Sequence, residues 1–215
     1  IFFIYTINMK KIYILISIIS INTIAADYEP YESSYEPLPY TNTIFKNANI
    51  YDGDGKEFIE TDIIIQDGKI IAIGKELPRS NELITVDATG KWITPGIIDI
   101  HSHMGVYPAP SVKTSSDGNE ATSPVTADVW AEHSIWTQDP QFALALKGGV
   151  TTFHVLPGSA NLIGGRGVTA KNLQRNTINS MKFPDAPHSL KMACGENPKR
   201  VYGNRGQAPS TRMGN

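Results

Sequence analysis

The chain has 215 residues, with 19 Lys and Arg against 21 Asp and Glu, 40% hydrophobic residues and one cysteine. At roughly 100–200 residues per domain that is one large domain or two modest ones with enough apolar material for a core, which excludes a chain disordered throughout. A net charge of −2 provides no basic stripe for nucleic acid, and a lone Cys194 excludes both a disulfide scaffold and a multi-cysteine zinc site.

The chain opens on Ile1, and the first plausible start is Met9, followed by Lys10, Lys11 and an apolar run over 12–21. Thr23-Ile24-Ala25 before Ala26-Asp27 supplies small residues at a cleavage point. A short basic region, an apolar stretch and small residues are the anatomy of a secretory signal peptide. The reading is a signal peptide over 9–25, an exported (periplasmic or secreted) mature protein, and upstream translated residues at 1–8. A stable membrane span is disfavoured, because Lys10 and Lys11 interrupt the roughly 20 apolar residues that a spanning helix needs. Residues 26–42 are acidic and rich in Pro and Tyr, with Tyr28-Glu29-Pro30 echoed by Tyr35-Glu36-Pro37, and are expected to form an extended spacer without regular structure.

Between 43 and 95 short β-prone runs alternate with turn residues. Thr61 to Gln66 and Lys69 to Ile73 flank Asp67-Gly68, whose residues tolerate the positive φ of a tight hairpin turn. Further strands are expected over 44–50, 83–86 and 92–94, together a small β-sandwich domain or part of one. Asp52-Gly53-Asp54-Gly55 is a turn and not a calcium loop, since the twelfth position of an EF-hand starting at Asp52 is Ile63 and not Glu.

After Pro95-Gly96 the pattern changes. Residues 97–100 are apolar apart from Asp99, as in a strand buried on both faces of a parallel sheet. Asp139-Pro140 opens a helix over 141–147, with Asp at the N-cap and Pro at the first helical position, and Gly148-Gly149 ends it. Strands are expected at 150–156, weakly at 167–171, and at 190–194. Strand, helix, strand with buried strands predicts a parallel α/β fold, and the pattern leaves open which one.

His101-Ser102-His103 follows the first of these strands directly. Alternation along a strand puts both imidazoles on one face, at the carboxyl end where parallel α/β folds place their sites, so the pair can hold one metal ion. Asp99 shares that parity one step deeper and is positioned to orient a ligand by accepting a ring N–H. An isolated His-x-His is also common in proteins that bind nothing. His154 is expected to be a packed, hydrogen-bonded histidine, and His133 and His188 structural or surface residues. Gly164-Gly165-Arg166-Gly167 lacks the Lys-Ser/Thr of a phosphate-binding loop. It reads as a loop at the mouth of the fold, with Arg166 the candidate substrate contact.

The segment from Thr94 to His103, Thr-Pro-Gly-Ile-Ile-Asp-Ile-His-Ser-His, resembles the signature of the amidohydrolase superfamily, in particular its imidazolonepropionase-related members. The likeness extends upstream through Asn47 to Gly53, Asp67 to Ile70 and Val86 to Lys91, which look like the family's small sandwich. Downstream, Gly148 to Thr152 looks like its second barrel strand. Leu156 to Ser159, Gly164-Gly165 and Gly195 to Arg200 resemble one exported subgroup. The resemblance implies a metal-dependent hydrolase on a (β/α)8 TIM barrel that follows the sandwich, with one or two divalent ions, zinc or another metal, that activate water against a C–N bond of a small-molecule or peptide-like substrate. It maps the first two metal ligands onto His101 and His103. Lys191, in Ser189-Leu190-Lys191-Met192, maps onto a carboxylated bridging lysine, with Glu196 as the alternative bridge.

The resemblance also calls for two further histidines on later strands and a proton-shuttling aspartate, none of which can be placed in this sequence. A barrel takes about 250 residues, and those after Gly96 are about half that number. The expectation is therefore the N-terminal half of a barrel over 96–215, inactive and poorly soluble alone, with the catalytic Asp beyond residue 215. Rival readings are a mononuclear deaminase or ring hydrolase, in which Lys191 is scaffold, and an exported binding protein on an inactivated barrel.

Overall fold

The first sheet forms around a strand whose apolar residues alternate with polar ones. Strand β1 (Thr43–Tyr51) pairs antiparallel with β2 (Glu57–Gln66), which pairs antiparallel with β3 (Lys69–Gly74). On its other side β1 runs parallel to β4 (Ile84–Asp87) and, further along, to β5 (Trp92–Ile93). The computed structural model describes residues 31–215, so the leader expected over 9–25 and residues 1–8 lie outside the described residues. The chain divides into a unit Ile1–Glu32, of which only residues 31 and 32 are described, and a unit Ser33–Asn215, to which everything below refers.

Asp67 and Gly68 sit at φ 50° and 72° between β2 and β3, the hairpin turn that this dipeptide favours. The strands of 43–95 make one five-stranded mixed sheet, which is part of the sandwich expected there and does not by itself complete one. Its core is Ala48, Ile50, Ile63 and Ala88, with Phe45, Phe58, Ile73 and Ile93 packed against them.

One buried carboxylate shapes this sheet. The register of β1 on β2 breaks between Phe45 and Ala48, where Asn47 takes a left-handed φ of 57°. Asp62 fills the break, accepting from Lys46 Nζ at 2.5 Å, Asn47 N at 3.0 Å and Leu77 N at 2.9 Å. Burial pushes its pKa up, but the Lys46 ammonium and the two amides outweigh burial and hold the carboxyl below the usual carboxylate range. A depressed carboxyl pKa stabilises the fold above its unfolded value and loses that contribution as pH falls through the folded one.

Residues 31–42 have no regular structure, as expected, yet they are not a detached spacer. Ser34 N donates to Asn179 O at 3.0 Å, Ser33 Oγ to Lys182 O at 2.9 Å, and Arg175 to Glu36 O at 3.2 Å.

The second sheet runs β6 (Ile97–Ser102), β7 (Val150–Val155), β8 (Ile163–Lys171), β9 (Ser189–Met192). Between β6 and β7 lies helix α1 (Pro140–Lys147), whose N-cap Asp139 accepts from Gln141 N at 3.0 Å. Strands β6 and β7 are parallel, as the strand–helix–strand pattern predicts. The parallel expectation fails from β8 on, because β7 with β8 and β8 with β9 are antiparallel. For β7 and β8 the cause is the link from Leu156 to Leu162, too short for the crossover of a dozen or more residues that a parallel return requires. The expected mouth loop at Gly164 to Gly167 is instead the first half of β8.

Phe142 of α1 stacks on Phe153 of β7 with centroids 5.1 Å apart, in a core with Val155, Val168, Ala170 and Met181. Lys182 and Glu132 form a buried ion pair at 2.6 Å beside it. By contrast β6 is an edge strand whose apolar residues are uncovered, Ile98 being 63% and Ile100 77% exposed. Helix α2 (Glu196–Gly203) closes the described chain's regular structure and is pinned by Tyr202, whose hydroxyl donates to Asn161 Oδ1 (2.6 Å) or Ser123 O (2.5 Å).

Removing the carboxylate at the β1 bulge leaves a nearly buried ammonium and two amides without their acceptor. Asp62→Ala is expected to lower stability by about 2–4 kcal/mol. Urea unfolding of the whole chain followed by circular dichroism at neutral pH, and again in acid where wild type and variant converge, measures it.

Candidate metal centre

The site gathers at the carboxyl end of β6. Between Asp99 and Ser102 the register with β7 slips, three residues of β6 spanning the step that Phe153 to Val155 cover on β7. Asp99 fixes this irregularity by accepting the backbone N–H of His101 at 3.0 Å. Its carboxylate thus holds the backbone at His101, and its contact here is with the amide rather than with a ring N–H.

His103 is oriented through Leu156, the first residue after β7. Leu156 N donates to Ser102 O at 2.9 Å, and Leu156 O lies 2.8 Å from His103 Nδ1. A carbonyl only accepts, so Nδ1 carries the proton and Nε2 keeps its lone pair free for a ligand. The loop beyond His103 is held by Asp139, fully buried, which accepts from Gly105 N at 2.9 Å and Ala109 N at 3.3 Å as well as capping α1. His101 and His103 stand edge to face, with centroids 5.2 Å apart.

Lys191 joins them from β9. Its Nζ is 3.2 Å from His101 Nε2, a contact across 90 residues of sequence, and the residue is only 7% exposed. Among the described residues that imidazole is the amine's only hydrogen-bond partner, and no carboxylate pairs with it. Burial pushes the Lys191 pKa down. The Lys191 charge, burial and His103 all push His101 down, against a smaller upward pull from Asp99, so the imidazole is held neutral.

Glycines of β8 run beside this cluster, and the one at 167 makes room for its neighbours His154 and Ser189. Gly165 lies opposite Lys191 in the register, and a Cβ at Gly164 would touch the Lys191 stem at 3.6 Å. A Cβ at Gly167 would come within 2.7 Å of Ser189 Oγ and 2.8 Å of His154 Nε2. Those two atoms are 2.5 Å apart, and His154 Nδ1 is 2.8 Å from Thr169 Oγ1. His154 is thus a hydrogen-bonded, packed histidine, as its sequence context suggests, and burial, with help from His101 and His188, holds its pKa down.

The remaining candidates lie elsewhere. Glu196 opens α2 in solvent and pairs with Lys199 Nζ at 2.9 Å, so it does not join the histidines. Arg166 stacks on the Trp130 ring at 4.6 Å and donates from Nε to Ala127 O at 3.2 Å. His188 meets the other edge of that tryptophan system at 4.7 Å, and His133 is mostly exposed. A cavity of about 330 Å³ opens on His103, lined further by Tyr107, Asn119, Asn197 and Arg200. None of these four was singled out from the sequence. Arg200 stands in the Gly195 to Arg200 motif, but nothing in the spacing of Tyr107 or Asn119 marks them.

Zinc is usually held by four ligands, and among the described residues no group of three or more His, Cys, Asp and Glu is placed to hold a metal. What converges is two imidazoles and a buried amine. The imidazoles suit a divalent ion, and the amine, which meets no carboxylate among the described residues, suits conversion to an anion beside it.

No family model matches the chain. It is 35% identical over 191 residues to the amidohydrolase tasK of Hapsidospora irregularis, covering 83% of this chain and 19% of that protein. A dihydroorotase of Ligilactobacillus salivarius is 41% identical over 63 residues, 28% of this chain and 14% of that protein. The crystal structure of an amidohydrolase from Thermotoga maritima superposes with a TM-score of 0.72 at 43% identity, over 80% of this chain and 44% of that one. The chain therefore spans less than half the length of each of these proteins.

The contact between His154 and Ser189 depends on a bare backbone at Gly167. Gly167→Ala is expected to cost about 1–3 kcal/mol by overpacking. It is also expected to shift the imidazole nitrogen resonances of His154, which a histidine-selective NMR spectrum beside a denaturation curve reads directly.

Proposed function

We propose, for a chain that belongs to the amidohydrolase superfamily, that His101, His103 and Lys191 form part of the metal centre of an enzyme that hydrolyses a C–N bond. The observation that carries this reading is Lys191 Nζ at 3.2 Å from His101 Nε2, buried and without a carboxylate. An amine in that position is costly unless something anionic replaces or meets it. Its lowered pKa favours the neutral form, whose lone pair adds to carbon dioxide with loss of one proton, giving a carbamate. That carbamate is an oxygen ligand beside two imidazoles.

A bound divalent ion would lower the pKa of a water molecule and polarise the scissile carbonyl. The protein's own residues do the rest. Leu156 O holds the His103 tautomer, Asp99 holds the backbone at His101, and β9 carries Lys191 up to the pair. The fold proposed for the whole protein is a (β/α)8 barrel, with β6 and β7 as its first two strands and the later strands supplying further ligands and a proton-shuttling aspartate. The uncovered apolar residues of β6 support that reading, since a closed barrel pairs and covers every strand. Exported location rests on the sequence of residues 9–25 and is proposed on that ground.

Metal analysis of the full-length protein tests the centre. Wild type is expected to hold one or two zinc or other divalent ions per chain, and His101→Ala, His103→Ala and Lys191→Ala to reduce occupancy at least tenfold while circular dichroism stays unchanged. Two ions per chain fit a carbamate bridge, whereas one ion retained in Lys191→Ala is the signature of a mononuclear deaminase or ring hydrolase. Full metal content in all three variants contradicts the proposal.

A further inference from the structure

We propose that the cavity between the end of β6 and α2 binds a carboxylate of the substrate, so that the amide hydrolysed is one carried by an acidic molecule such as an N-acylated amino acid. This rests on the C–N hydrolase reading above and names the substrate class for the same centre.

The cavity, about 330 Å³, suits one small group rather than an extended chain. One wall is His103, whose Nε2 is free for the metal, so whatever fills the cavity lies beside the reacting centre. The other walls offer donors. Arg200 stands on the face of α2 that lines the cavity, with Asn197 three residues earlier. Among the described residues the Arg200 guanidinium has no carboxylate partner, and its only hydrogen bond is a long one, to Asn197 Oδ1 at 3.4 Å. The other charged pair of this helix, Lys199 with Glu196, is complete without it. No Asp or Glu lines the cavity, so its only charged group is the Arg200 cation.

Tyr107 supplies the second donor, and the fold spends glycines to place it. A Cβ at Gly118 would meet the Tyr107 ring at 2.5 Å, and one at Gly158 would meet its hydroxyl at 2.2 Å. Asn119 donates from Nδ2 to that hydroxyl while its Oδ1 accepts from Ala160 N at 2.8 Å. The amide is thereby fixed as donor toward Tyr107, and the phenol's own proton is left to donate to a ligand. A guanidinium and a phenol O–H facing one small cavity form a receptor for a carboxylate, which accepts from both.

The test uses full-length protein and two probes, N-acetylalanine and N-acetylalanine N-methylamide, whose dissociation constants are measured by NMR titration. The carboxylate is expected to bind at least tenfold more tightly than the methylamide. Arg200→Gln is expected to bring the two within about twofold, and Tyr107→Phe to weaken the carboxylate alone. Arg200 is exposed, so the glutamine variant folds as wild type does. Equal binding of the two probes, binding of neither, or discrimination that survives Arg200→Gln overturns the inference. Acetate release from N-acetylalanine is followed separately. Its absence alongside intact discrimination counts against the hydrolytic reading, and the binding data alone decide the carboxylate site.

Discussion

A buried amine facing a neutral imidazole, with nothing anionic between them, is the constraint around which this structure is arranged. Lys191 is one of few charged side chains taken almost wholly out of water, and the cost of that placement is offset by no carboxylate among the described residues. Lys182, buried to a similar degree, pairs with Glu132, and Lys46 pairs with Asp62. The contrast gives Lys191 a chemical meaning. The buried Lys182 and the partly buried Lys46 are structural cations with partners, and Lys191 stands where a ligand would.

The second sheet supports that placement. The bare backbone of β8 at Gly167 lets Ser189 of β9 and His154 of β7 close over it. Asp139 serves the same end from the other side, gathering the N-terminus of α1 and the loop after His103 on one carboxylate. Backbone irregularity falls where function needs it, at the slipped register before His103, and hydrogen bonds from Asp99 and Leu156 hold it.

Much of this was legible in the sequence. The Asp67-Gly68 hairpin, the Asp139-Pro140 helix start and the strand into His101 and His103 are local signals, set by turn chemistry, capping and apolar runs. Strand direction after β7 was not legible, because it follows from the length of one link and from glycines that read equally well as a loop. The pairing of His101 with Lys191 spans 90 residues and was accessible only through the resemblance. Tyr107 and Asn119 carry no such signal because a cavity is a property of packing, and no periodicity announces which residues will face it; Arg200 was marked only as part of the Gly195 to Arg200 resemblance.

The central claim is that His101, His103 and Lys191 address one metal ion. Anomalous diffraction from zinc-loaded crystals of the full-length protein tests it most directly. The account predicts a peak about 2.0–2.1 Å from an imidazole nitrogen of each histidine, with density for a carboxylated Lys191 reaching it. A zinc peak elsewhere, or none at the histidines with Lys191 still an unmodified amine against His101, would contradict it.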